Sequence, residues 1–248
     1  MKLLITFILV FTLNIIANDD FEDAFDNEFE QDLAMESNKQ TVFDPLSSYN
    51  RFMTNVNDKL MINVVEPISS GYRFVAPHPL RESIYNFFEN INYPVSLANN
   101  LLQLKFYHSW NESLRFFTNS TLGLFGFFDV ADSWFEIKAH KEDFGQTLGH
   151  YGVGSGFPIV IPFFGQQNFR DFLGGFADNS VNPTYHLTLE INDDMVSLGT
   201  YLMIRGYKDI NEYSLSDISY EELTKGSIDL YPFIRDAYEQ NRNKLIEE

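Results

Sequence analysis

After residue 17, the apolar residues of this chain never form an uninterrupted run close to 18 residues long; they recur instead at helical spacing. A helix that crosses a bilayer needs about 20 such residues. The chain must therefore use amphipathic helices to bury or present its apolar surface. None of its 248 residues is a cysteine. Disulfides, Cys-ligated metals and a lipidated N-terminal cysteine are thus absent from this sequence, and packing alone must hold the fold. A chain of this length supports one substantial core, and nothing in its composition demands a second.

Residues 1–17 have a different character. Lys2 precedes an apolar stretch that runs to Ile16, followed by small Ala17 and then polar Asn18, Asp19 and Asp20. This pattern reads as a secretory signal peptide. The stretch is broken by Thr6, Thr12 and Asn14, and its length falls short of the roughly 20 residues of a spanning helix. The formal net charge is -18, and residues 19–36 hold nine acids and no base. Such a balance repels phosphate backbones, so nucleic acid is not an expected partner. Phe21, Phe25 and Phe29 would share one helical face, yet the acidic run as a whole reads as a solvated, disordered tail. The expected organisation is a signal peptide at 1–17, an acidic segment at 18–43 and one helical domain at 44–248.

The first helix should start at Asp44-Pro45, where the carboxylate can cap free N–H groups and proline sacrifices no hydrogen bond. Leu46, Tyr49, Met53, Val56, Leu60 and Val64 follow at helical spacing, and Asn50, Asn55, Asn57 and Asp58 fall on the polar face. Pro67 predicts a stop near Glu66. Further helices are expected from about His78, over 94–107, 109–121, 168–177 and 228–246, and within 185–205. Residues 122–128, LGLFGFF, suit either a tight buried turn or a lipid-facing surface, and buried packing is the expectation. The stretch 144–165 is glycine-rich and then apolar between Pro158 and Pro162. It reads as one ordered, hairpin-like loop, with three residues between prolines making a poor strand.

No reaction centre emerges. His78, His108, His140, His150 and His186 are dispersed, with no ligand spacing between them, so neither a metal nor another cofactor is implied. Ser155 sits in G-V-G-S-G, which does not meet the G-x-S-x-G pattern of a nucleophile elbow. The same glycines fail the dinucleotide fingerprint. Function must then rest on surfaces and shape.

Several segments in order carry a resemblance: DPLSSYNRFM (44–53), APHPLR (76–81), NFFEN (86–90), NLLQ (100–103) and RFFTNSTLG (115–123). The most specific is DFGQTLGHYGVGSG (143–156), followed by IPFFG (161–165), Arg170-Asp171 and YPFIRDAYEQNR (231–242). In order and spacing they resemble the MlaA (VacJ) family of lipid-asymmetry proteins. That resemblance implies an all-α ring around an amphipathic channel, on the periplasmic face of the outer membrane. It implies non-enzymatic transport, in which phospholipid leaves the outer leaflet for a soluble periplasmic lipid carrier beside an outer-membrane porin.

The chain departs from the family in lacking the usual lipidated cysteine, so attachment would come from its own apolar rim, a porin partner or retained signal sequence. It also has Glu66-Pro67-Ile68 where Arg-Pro-Val is usual, and Gly156-Phe157-Pro158 where Gly-Pro-Tyr is usual. A phospholipid needs one polar wall and one apolar mouth along its path. Asn55, Asn57 and Asp58 are the candidate channel lining. Gly152, Gly154, Gly156, Phe163 and Phe164 are the candidate gate, the glycines supplying hinge freedom and the phenylalanines covering tails. The other readings are a soluble periplasmic interaction protein without lipid transport and a lipid hydrolase using Ser155.

Overall fold

A computed structural model describes residues 42–189 and 194–247. The expected signal peptide and nearly all of the acidic segment lie outside them. The first helical rod is longer than expected. Helix α1 (Ser47–Leu60) passes through a π turn (Met61–Val65) into α2 (Glu66–Val75), so Pro67 does not end the helix. The π turn supplies the reason. The Glu66 N–H reaches back five residues to the Met61 carbonyl, which widens the helix where the Pro67 ring would otherwise meet the carbonyl four residues earlier. At the start of the rod, Asp44 accepts the Leu46 N–H at 3.1 Å.

Helices α3 (His78–Ile91) and α4 (Tyr93–Leu102) each carry proline in the first turn, as the sequence suggested. The helix expected over 94–107 breaks at Leu104, whose φ of 60° is left-handed, and α5 (Phe106–Thr121) restarts the run. Its cause is tertiary. Gln103 is buried and donates to Glu142 at 2.8 Å, which draws the chain inward and ends α4. Residues 122–128 then make successive left-handed turns at Leu124, Phe125 and Gly126. Gly123 is required there, because an added Cβ would lie 2.2 Å from the Phe128 carbonyl oxygen. Buried packing was the expectation for this segment. The structure reverses it, since Leu122, Leu124, Phe125 and Phe128 are exposed, Phe125 at 75%.

Two short helices follow, α6 (Val130–Phe135) and α7 (Phe144–His150), N-capped by Asp129 and Asp143. Thus the opening of the expected 144–165 loop is helical. Its second half is a true hairpin: β1 (Pro158–Ile161) pairs antiparallel with β2 (Gly165–Asn168), Val160 opposite Gln166. The strand dismissed for its prolines forms because Pro158 begins it and Pro162 lies beyond it in the turn. Neither proline must donate in mid-ladder. The chain closes with α8 (Phe169–Asn179), α9 (Pro183–Leu189), α10 (Asp194–Leu215), α11 (Tyr220–Thr224) and α12 (Leu230–Glu247). Of the helix expected within 185–205, the described residues up to Leu189 and from Asp194 are helical, and the helix runs ten residues further than expected, to Leu215.

Burial is inverted relative to a water-soluble domain. Among the described residues eighteen polar or charged side chains are buried against six apolar ones, whereas polar groups are usually the exposed class. Helix α5 shows the inversion within one element: Ser109, Glu112 and Asn119 are buried, while Phe106, Trp110 and Phe117 stand out, each at least 63% exposed. Those three aromatics recur at helical spacing and share a face. The outward surface continues through 122–128 and through Trp134 and Phe135.

Buried polar groups are tolerable only when partnered, and here asparagines do most of that work. Asn50, fully buried, donates to the Pro158 carbonyl and accepts the Val160 N–H, both at 2.9 Å. Two helical turns later Asn57 repeats the device, donating to the Ile161 carbonyl at 3.0 Å and accepting the Phe163 N–H at 2.9 Å. Each carboxamide thus stands in for the peptide group of a neighbouring strand. Together they clamp the hairpin edge to α1.

Candidate functional site

A cavity of about 670 Å³ opens between α8, α10, α12 and the hairpin. Its apolar wall is built from Phe88, Ile161, Phe164, Phe172, Phe176 and Ile204. Most of its charge lies on two opposed polar walls.

The first polar wall is an ion network. Arg242 of α12 makes a two-pronged pair with Asp143 at 2.7 Å and reaches Asp171 through Nε at 2.8 Å. Tyr238, one turn earlier on α12, donates to Asp171 at 2.8 Å, and Arg170 pairs with the same carboxylate at 3.0 Å. Burial works against ionising Asp143, but the bond and charge of Arg242 prevail and hold its pKa below the ordinary value. Gly145 makes this packing possible: an added Cβ would lie 2.3 Å from an Asp171 oxygen. Two acids and two bases therefore balance, and this wall presents polarity without net charge.

Asp178 stands beside that network under different terms. It accepts the Phe144 N–H at 3.1 Å on both oxygens and the Asn99 amide at 2.8 Å, but no cation. Burial raises its pKa to about 6, because neutral donors offset the cost of desolvating a charge only in part.

Helix α10 supplies the second polar wall. Tyr201, Ile204, Arg205, Lys208, Asp209 and Glu212 recur at steps of three, one, three, one and three, so one stripe of the helix faces the cavity. Lys208 pairs with Glu89 of α3 at 3.1 Å. Arg205 lies over the Phe164 ring, 4.3 Å from its centroid, and approaches the Tyr201 hydroxyl at 3.4 Å. This stripe escaped the sequence reading. Its signal was present, in charges spaced by three and four between residues 205 and 212, but a charge pattern on a helix does not say which face meets a cavity.

The residues singled out from sequence fall in several places. Phe164 lines the cavity, while Phe163 stands exposed at the hairpin tip with a left-handed φ of 68°. Asn57 holds that tip from α1. Burial, and next to it the carboxylate of Asp58, push the phenol of Tyr220 of α11 upward, and Asn55 is partly buried on the same helix as Asp58. None of these three belongs to the cavity wall. Gly152, Gly154 and Gly156 form the loop before the hairpin; Gly152 and Gly156 have φ of 81° and 77°, conformations that favour glycine. Ser155 lends its carbonyl to the Arg170 N–H, and no described histidine or acid bonds its hydroxyl. Glu66, at a departure from the family pattern, accepts from the Tyr213 hydroxyl at 2.9 Å.

A family model described as MlaA lipoprotein matches residues 42–245. The chain belongs to the MlaA family. The intermembrane phospholipid transport system lipoprotein MlaA of Escherichia coli is 33% identical over 205 residues, covering 81% of this chain and 77% of its relative. An uncharacterized protein of Rickettsia bellii is 30% identical, covering 83% and 78%. A solved structure described as a structural basis for maintenance of bacterial outer membrane lipid asymmetry aligns with a TM-score of 0.67 at 31% identity. It covers 83% of this chain and all of its own. In this MlaA-family chain both polar walls fall within the family match. Among its described residues no helix is long and apolar enough to cross a membrane.

Proposed function

We propose that this chain transports phospholipid for outer-membrane lipid asymmetry, taking lipid from the outer leaflet toward the periplasm. The observation that carries the reading is the inversion of burial around a cavity: aromatics outside, ion networks inside. A soluble scaffold gains nothing from exposing Trp110, Phe117 and Phe125, but an acyl-chain environment rewards their burial by about 1.5–3 kcal/mol each. Under this reading the helices form a ring seated in the inner leaflet by its aromatic rim, as an interfacial protein and not a spanning one. The headgroup follows the polar walls, and the tails follow Phe88, Phe172 and Phe176. The hairpin tip serves as the gate, with Phe164 across the cavity, Phe163 outside it and Asn57 holding the turn. The loop of Gly152, Gly154 and Gly156 lets the tip swing. An outer-membrane porin is the proposed neighbour and a soluble periplasmic lipid carrier the proposed recipient. No catalytic step is part of the function.

Cell fractionation followed by lipid analysis of the mildly extracted protein tests the reading. The expected result is outer-membrane location with bound phospholipid. A lipid-free protein recovered in the soluble periplasm would replace it with a partner-binding role.

A further inference from the structure

The cavity is not a neutral polar tube, because its charges are unequally satisfied. Arg242 is committed to Asp143 and Asp171, and Lys208 to Glu89. That leaves Arg205, for which no carboxylate among the described residues lies within ion-pair distance; its partners are the Phe164 ring and a long contact to Tyr201. On the same stripe, Asp209 and Glu212 also line the cavity, and neither has a described cation within ion-pair distance. Arg205 is therefore followed, four and seven residues along one helix face, by two acids beyond ion-pair distance of it, Asp209 feeling the charges of Arg205 and Lys208 only from further away.

We propose, resting on the transport reading above, that this stripe selects phospholipids whose headgroup carries an ammonium: Arg205 receives the phosphate, and Asp209 with Glu212 receives the amine. The helix advances about 6 Å between residues 205 and 209, a span suited to a phosphate and an amine joined by two carbons. Arg205 is prepared for the exchange. A guanidinium over an aromatic face is held by a weak attraction, and a phosphate offers it charge-assisted hydrogen bonds in its place. A glycerol headgroup has the same phosphate but brings no cation to the two acids. Its negative charge then meets an excess of negative wall, a cost that strengthens as water is excluded.

The full chain in mild detergent, equilibrated with equal amounts of phosphatidylethanolamine and phosphatidylglycerol bearing the same acyl chains, tests this by mass spectrometry of bound lipid. Wild type should be enriched in phosphatidylethanolamine. The double variant Asp209→Asn, Glu212→Gln should raise the phosphatidylglycerol share about threefold, as expected for partly exposed charge pairs, by weakening the binding of phosphatidylethanolamine. Arg205→Gln should lower the binding of both lipids. Bound lipid that mirrors the supplied mixture, or a ratio indifferent to the double variant, would overturn the selectivity while leaving transport standing. No lipid on wild type would remove both readings. Free phosphoethanolamine at equal concentration should not displace lipid, because it has no tails for the phenylalanine wall; displacement would assign the stripe to a small soluble ligand instead.

Discussion

The outer face of α5 and the inner stripe of α10 are both amphipathic, yet they solve opposite problems. On α5 the apolar residues Phe106, Trp110 and Phe117 face outward and the polar Ser109, Glu112 and Asn119 face the protein. On α10 the charged residues face inward too, but toward a cavity. Placing polar groups inside in both cases leaves the exterior to aromatics. The buried polar side chains are then held in hydrogen-bond and ion networks. Such networks are costly to leave half satisfied, so the interior should be brittle and the rim tolerant.

Substitutions can break that contrast at either end. The largest effect is expected at the rim and on membrane affinity alone. Replacing Phe106, Trp110 and Phe117 together by serine should weaken vesicle partitioning by about 5 kcal/mol, from the area each aromatic buries, measured by co-sedimentation. The same triple variant should keep its melting temperature in detergent, and a large loss would mean that these side chains serve the fold.

In the interior, Arg242→Ala strands Asp143 without its cation and leaves Asp171 with Arg170 alone. Chemical denaturation should show a loss of about 3–5 kcal/mol. A smaller step follows at the clamp: Asn50→Ala removes bonds to Pro158 and Val160, which should cost about 2 kcal/mol through unsatisfied backbone groups. Hydrogen exchange should then quicken first at the Val160 amide, and unchanged exchange there would argue against the peptide-mimic role.

Asp178 supplies the smallest and most specific effect. Its folded pKa of about 6 lies above the unfolded value of 3.8. Between those values the folded state binds the proton more tightly, so this group's contribution to stability grows as pH falls from about 6 toward 4 and is lost as pH rises through about 6. Carboxyl NMR should give a midpoint near 6. Asp178→Asn should flatten the stability profile in that window; a profile that stays steep would assign it to another group.

Much of the architecture was legible because it depends on local chemistry. Pro79 and Pro94 mark helix starts, Asp44-Pro45 lies just ahead of α1, whose N-cap is Leu46, and the glycines and prolines after His150 mark the irregular stretch that leads into the hairpin. Pro67 continues its helix through a π turn, Leu104 breaks one without any local signal, and residues 122–128 turn outward instead of packing. At Leu104 the deciding neighbour is distant, Glu142 bonded by Gln103, whereas Pro67 is accommodated by the π turn beside it and residues 122–128 by their own left-handed turns. The polar face of α1 was seen, but Asn57 binds the hairpin, since its partners Ile161 and Phe163 lie more than a hundred positions away.

The sequence by itself determined that helices would dominate, that no disulfide could staple them, and that motifs from 44 to 242 follow one family. It could not decide which side of each amphipathic helix is the inside. Helical periodicity records two faces without saying which meets protein, lipid or a cavity. That choice falls to tertiary structure, where Arg242 closes on Asp143 and Asp171 from far along the chain, Arg205 meets Phe164, and the aromatics of α5 are left outward because the interior is already filled with polar partners.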